Sequence, residues 1–211
     1  ITVNPGAQID IPENQILCSG EQLVVNFSTE NSGSITTYEW TSDLDIGGGL
    51  SGAGNIDFTV LNEQLSLVTA TFTVIPTLEN EGVPCFGSSV SFTVQVNGTL
   101  NPNVEISDYN GLDISCFGAN DGSINIIPEG GSPFDIGAEY VFEWSGPNGF
   151  TSNESNISEL GPGEYNLIIT DSLNCPFGFQ YILTEPEPLS IQTDSALDII
   201  CNGFDTDILI T

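Results

Sequence analysis

Apolar and polar residues alternate with a period of two along most of the chain, in short runs broken by clusters of Gly, Pro, Asn and Ser. That spacing puts like residues on one face of a strand, and the breaks supply turns through which strands return antiparallel. Val68, Ala70, Phe72 and Val74 are set against Thr69, Thr71 and Thr73, and Val90, Phe92, Val94 and Val96 against Ser91, Thr93 and Gln95. Shorter runs place Leu23, Val25 and Phe27, then Ile56, Phe58 and Val60, on inward faces. The second half repeats the pattern with Ile124 and Ile126, with Tyr140, Phe142 and Trp144, with Tyr165, Leu167 and Ile169, and with Phe179, Tyr181 and Leu183. Helical periodicity is nearly absent. The pattern predicts an all-β chain of antiparallel sheets packed as small sandwiches, with a Thr-rich face toward water.

At 211 residues the chain has room for one or two domains. The turn-rich stretches predict a first sandwich over 1–98, a stiff linker over 99–103 and a second sandwich over 104–189, closing on Thr184-Glu185-Pro186-Glu187-Pro188. Leu112-Asp113-Ile114-Ser115-Cys116-Phe117-Gly118 recurs 85 residues later as Leu197-Asp198-Ile199-Ile200-Cys201-Asn202-Gly203. A period of that size is a whole domain, so residues 190–211 read as the truncated start of the next unit in a tandem array. The opening Ile1-Thr2-Val3-Asn4-Pro5 lacks the charged start of a signal peptide, and the chain reads as a piece of something longer. No apolar run approaches the ~18 residues of a membrane span.

Every charge on the chain is negative: 29 Asp and Glu, no Lys, Arg or His, and a net charge of -29. Nucleic acid is excluded as a partner, because nothing can displace counterions from phosphate, and an anionic membrane surface is excluded on the same ground. Ser-His-Asp, Cys-His and Ser-Lys nucleophiles cannot be built, and no cation is present to clamp a phosphoryl group. A carboxylate pair or a calcium site survives as chemistry. The hydrophobic share of 39% still suffices for packed cores.

Cys18 and Cys85 fall in the first unit, Cys116 and Cys175 in the second, which predicts one disulfide per unit, with Cys201 left unpaired in the severed third. Disulfides place the chain outside the reducing cytosol. A cysteine metal site lacks any C-x-x-C pair or His. Within each unit a Trp lies between the two cysteines, an order that resembles the immunoglobulin-like pattern. In Tyr38-Glu39-Trp40 and Phe142-Glu143-Trp144 the aromatics are two apart, so they share the buried face and Glu points to water.

The second unit resembles the SprB repeat, a module of large cell-surface adhesins in gliding Bacteroidota. The matching residues are Cys116-Phe117-Gly118-Ala119-Asn120-Asp121-Gly122-Ser123-Ile124, Phe142-Glu143-Trp144-Ser145-Gly146-Pro147-Asn148-Gly149-Phe150, Leu160-Gly161-Pro162-Gly163-Glu164-Tyr165, Ile169-Thr170-Asp171 and Asn174-Cys175. The first unit resembles a PKD-like domain through Tyr38-Glu39-Trp40 and Phe92-Thr93-Val94-Gln95-Val96, without the Gly-Asp-Gly turn such domains often carry. The resemblance implies tandem Ig-like/PKD-like sandwiches in an extracellular adhesin, exported by type IX secretion and carried by the gliding machinery. Asp171-Ser172-Leu173 and Asp194-Ser195-Ala196 resemble the O-glycosylation signal of such bacteria, making Ser172 and Ser195 the acceptors. In Asn120-Asp121-Gly122, Gly122 is expected at a turn position able to take positive φ.

Three functions compete. The first is a non-catalytic structural or adhesive segment of a large repetitive bacterial surface protein, whose partners are its neighbouring repeats and a surface or polysaccharide target. The second is a calcium- or glycan-binding accessory module of a secreted protein, with Asp43, Asp45, Asn120 and Asp121 as local calcium ligands. The third, an enzyme, needs two carboxylates converging in a cleft, and no such pair stands out. No cofactor is expected under the first reading.

Overall fold

Alternation governs β6, Val68–Asn80, the longest strand. Ala70, Phe72, Val74 and Leu78 are buried along it, while Thr69 and Ile75 are exposed. The computed structural model describes residues 6–31, 35–80, 82–132 and 140–190. The first unit consists of β1 (Gln15–Leu17), β2 (Gln22–Val25), β3 (Ile35–Ser42), β4 (Ser51–Ala53), β5 (Ile56–Thr59), β6, β7 (Val83–Phe86) and β8 (Val90–Val96). One sheet runs β1-β8-β6-β3-β4 with β7 also on β6, and the other is β2-β5. Leu23, Val25 and Ile56 from the small sheet meet Trp40, Phe72, Val74, Phe92 and Val94 from the large one in a single core. Trp40 is tilted against Phe72, which stacks on Phe92, with ring centroids 5.6 and 5.3 Å apart. Two sheets closing over one apolar layer make a sandwich.

The second unit has β9 (Leu100–Asn101), β10 (Val104–Ile106), β11 (Gly122–Ile126), β12 (Glu129–Gly130), β13 (Val141–Ser145), β14 (Thr151–Ser152), β15 (Asn156–Leu160), β16 (Gly163–Thr170) and β17 (Pro176–Leu183). Its sheets run β14-β13-β16-β17 and β10-β11-β15, with β9-β12 as a separate ribbon. Ile124, Ile126, Ile157 and Leu160 face Phe142, Trp144, Leu167 and Ile169 across a second core. The order β4-β3-β6-β8 therefore recurs as β14-β13-β16-β17, and the pair β2-β5 recurs as β11-β15. All strand pairs are antiparallel except β1 with β8.

Two sequence expectations are corrected here. Residues 99–103 are not a stiff linker standing between the units: Leu100 is buried in the second core, and Leu100–Asn101 pair with Glu129–Gly130. An apolar residue at the start of a connector is drawn into whichever core lies beside it. Gly122 does not take positive φ. A side chain there would bring Cβ within 2.6 Å of Ile114 Cδ1 and 2.8 Å of Leu183 Cδ2, so the need is for close packing; the nearby left-handed glycine is Gly118, in the turn after Cys116, at φ 73°. Of the expected truncated unit over 190–211, all but Ser190 lies outside the described residues.

Candidate functional site at the junction of the two units

β1 runs parallel to β8, pairing Leu17 with Val96. Both strands therefore leave the first sandwich at the same end, the one from which the chain passes into the second. Cys18 follows β1 directly and lies at that end, where Asn97 N–H donates to the Leu17 carbonyl at 2.9 Å. Facing it is the loop between β16 and β17, which carries Cys175, and the structure joins Cys18 to Cys175 with Cα atoms 5.6 Å apart. The disulfide links the two units; it does not staple either one.

This replaces the expected pairing of one disulfide per unit. Cys85 pairs opposite Leu78 on β6, whereas the Cys18 end of the sheet is at Val68. Those positions are ten residues apart on one strand, about 33 Å at ~3.3 Å per residue. Cys116 and Cys175 are likewise at opposite ends of the second unit. Cys175 precedes β17, while the Cys116 turn is held near its far end, where Asp113 and Ile114 N–H donate to the Thr184 carbonyl at 3.1 Å. Bridging requires Cα atoms within about 7 Å, so neither expected pair can form. Cys85 and Cys116 are free, Cys85 half-buried and Cys116 exposed; Cys201 lies outside the described residues.

Beside the disulfide a buried carboxylate ties the units together. Asp171 and Asn97 are each 0% exposed. Asp171 Oδ1 accepts the N–H groups of Leu173 and Cys175, both at 3.0 Å, and Oδ2 accepts Ser132 N–H at 2.9 Å and Asn97 Nδ2. Asn97 Oδ1 in turn accepts the Ser132 hydroxyl at 2.8 Å. A chain without cationic side chains must bury a carboxylate among hydrogen-bond donors, and four N–H donors supply that solvation here. From the first unit, Asn62 Nδ2 donates to the carbonyls of Ser66 and Val96 at 2.9 and 3.0 Å, and Thr99 N–H donates to the Gln64 carbonyl at 2.7 Å. Tyr140 donates to the Gly130 carbonyl, and burial together with the nearby Asp171 and Glu129 charges raises its phenol above the usual range.

The other sequence candidates are placed as follows. Asp43 accepts Thr71 N–H at 2.6 Å, and that backbone hydrogen bond holds its carboxyl below the usual range. Asp45 accepts the N–H groups of Gly47 and Gly49, both at 2.9 Å. Asp121 accepts the Ser115 hydroxyl and N–H, which likewise lower its carboxyl. Asn120 lies against Gly161, where a Cβ would come within 2.6 Å of its Oδ1. Among the described residues no three acidic or cysteine side chains are grouped to hold a metal. Ser172 is half-buried with its hydroxyl donated to the Ser132 carbonyl at 2.8 Å; Ser195 lies outside the described residues. Trp40 and Trp144 are buried, as the alternation predicts, and Glu39 and Glu143 are exposed. An open groove of about 520 Å³ lies along Ala7, Ile9, Asp10, Glu30 and Phe86, with the Asp10 carboxylate taken up by the Ser28 hydroxyl at 2.5 Å.

Sequence reading missed Asn97, Ser132 and Asp171 as a cluster. The only local signal was Asp171 next to Cys175, and its partner Asn97 is 74 residues away.

No curated protein sequence matches the chain. Among solved structures, the C-terminal 282-residue fragment of intimin, in complex with the intimin-binding domain of translocated intimin receptor, is similar at TM-score 0.45 and 12% identity. That match covers 87% of this chain and 64% of the fragment, so the chain spans less than two thirds of it. Murine CEACAM1b is similar at TM-score 0.32 and 11% identity, covering 86% of this chain and 98% of that one. The two-sandwich architecture rests on the sheets and cores described above. The SprB repeat family matches residues 112–149, which span the Cys116 turn, β11 and the Trp144 strand. Over that stretch the second sandwich is similar to the SprB repeat.

Proposed function

We propose that the chain is a non-catalytic structural segment of a large repetitive bacterial cell-surface adhesin, a link in an extracellular stalk or filament. The observation that carries this reading is the junction: two sandwiches joined by a disulfide and by a buried polar cluster, an arrangement that fixes one unit against the next. The disulfide supports an oxidising, extracellular location, and the SprB repeat supports a surface protein of the adhesin type. Association with gliding and export by type IX secretion belong to the same proposal. The uniform negative charge suits a long tandem array, since like-signed units repel over about 10 Å at ordinary ionic strength and stay soluble.

The test is small-angle scattering and thermal melting of the chain, oxidised and reduced, with calcium or with chelator. The stalk reading expects one well-defined length in the oxidised chain, a broader distribution after reduction, and no response to chelator. Collapse of the fold on chelation alone would replace it with a calcium-binding accessory module. Turnover of a polysaccharide would replace it with an enzyme.

A further inference from the structure

Each unit carries one cysteine at each end, in equivalent places. Cys18 and Cys116 both open a four-residue turn with a left-handed glycine third: Gly20 at φ 95° and Gly118 at φ 73°. Glu21 N–H donates to the Cys18 carbonyl at 3.1 Å, and Ala119 N–H to the Cys116 carbonyl at 3.0 Å. After each turn comes a strand of the smaller sheet, β2 or β11. Cys85, on β7, and Cys175, in a loop, both fall in the connection between two paired strands of the larger sheet, β6 and β8 or β16 and β17, at the opposite end of their units. At the one junction present, the turn cysteine of the leading unit is bonded to the hairpin cysteine of the following unit.

The two cysteines left free are the matching outer halves. Cys116 is exposed on its turn beside Phe117, which is 58% exposed, and Cys85 stands beside Phe86, 72% exposed. An aromatic left in water next to each free thiol marks a surface that a packed neighbour would cover. The sequence points to that neighbour: the Cys-x-Gly sequence returns a third time at Cys201-Asn202-Gly203, 85 residues after Cys116.

We propose that the far end of the second unit is the outgoing half of a second junction of the same kind. It receives the following sandwich unit, whose hairpin cysteine, equivalent to Cys175, bonds Cys116. Successive units of the array are then joined turn to hairpin throughout, and no disulfide closes within a unit. Formation of the bond releases two protons and two electrons from two thiols, taken up by a disulfide oxidant such as glutathione disulfide, which is reduced to two thiols. The inference goes beyond the stalk reading and stands on junction geometry, whether or not the parent protein adheres to anything.

The test is a chain in which residues 189–211 are replaced by a second copy of residues 104–190, folded in a glutathione redox buffer; the added copy carries Ile127→Val and Ile182→Val, both at exposed positions, so that its two cysteine peptides differ in mass from the originals. It would be digested with a glutamate-specific protease and mapped unreduced by mass spectrometry. The expected result is Cys18 linked to Cys175, and Cys116 linked to the added copy's equivalent of Cys175. In the original chain, Cys116 is expected to alkylate without denaturant while Cys18 and Cys175 do not. Cys116→Ser, at an exposed site, should release the added copy's hairpin thiol for alkylation and leave Cys18–Cys175 in place. Cys116 recovered as a free thiol in the extended chain, or linked to Cys175 of its own unit, would overturn the proposal. The Cys18–Cys175 link reports the first junction independently, so loss of the stalk reading and loss of this inference give different maps.

Discussion

Asp171 holds its position through donors supplied from three segments: its own loop, Ser132 and, in the other unit, Asn97. Asp171→Ala strands those N–H groups in a buried site, and each unsatisfied donor costs about 1–3 kcal/mol. We therefore expect a loss of roughly 3 kcal/mol or more in urea unfolding, with Asp171→Asn intermediate, because its amide turns donors toward donors. At Gly122 the limit is space: Gly122→Ala pushes a methyl against Ile114 and Leu183 and is expected to cost about 1–3 kcal/mol as overpacking. Asp43 and Asp121 have carboxyls lowered by hydrogen bonds to Thr71 and Ser115. Their folded pKa lies below the unfolded one, so acid favours the unfolded chain. The stability they contribute is present above the ordinary carboxylate pKa of ~4 and is lost as pH falls through the lowered values. Asp121→Asn should lower the neutral plateau of a melting-temperature profile and flatten its acid limb, the two profiles converging at low pH.

Strands β3 and β13 show how much an element reveals in advance. Aromatic-Glu-Trp, read at a period of two, correctly assigned Trp40 and Trp144 to the cores and Glu39 and Glu143 to water, because facing within a strand is a local property. Indole pairing is not local. Trp144 Nε1 donates to the Glu154 carbonyl at 2.9 Å, whereas Trp40 Nε1 is buried without a partner and its ring lies against Gly52. Trp144→Phe is therefore expected to cost about 1 kcal/mol more than Trp40→Phe in denaturant titration, the net worth of one hydrogen bond. The cysteine pairing failed for a related reason. Grouping cysteines by unit assumes that nearness in sequence is nearness in space, but the end at which Cys18 emerges is set by the parallel contact of β1 with β8, between residues almost eighty positions apart. No periodicity encodes that. The expected linker failed because Leu100, a single apolar residue in a polar stretch, joined the second core.

Across the whole molecule the disulfide spans 157 residues of chain and bridges two cores without entering either. On loop-closure entropy alone it constrains the fully unfolded chain by about 5 kcal/mol. Its local effect is confined to the junction. Reduction, or Cys18→Ser, is expected to speed amide exchange at Ser132, Leu173 and Cys175 by roughly tenfold or more, while the central amides of β6 and β16 keep their protection; hydrogen exchange read by NMR distinguishes such local opening from global loosening. Equal acceleration at all of these sites would mean that the units do not fold as separate cores. The same bridge decides what happens when the chain is pulled from its two ends. Tension entering before Cys18 crosses directly through sulfur to Cys175 and leaves along β17, so neither the connector nor most of either sandwich carries it. With the bridge intact, the residues between the cysteines cannot pay out, and about 550 Å of contour, at ~3.5 Å per residue, stays locked until the S–S bond is reduced.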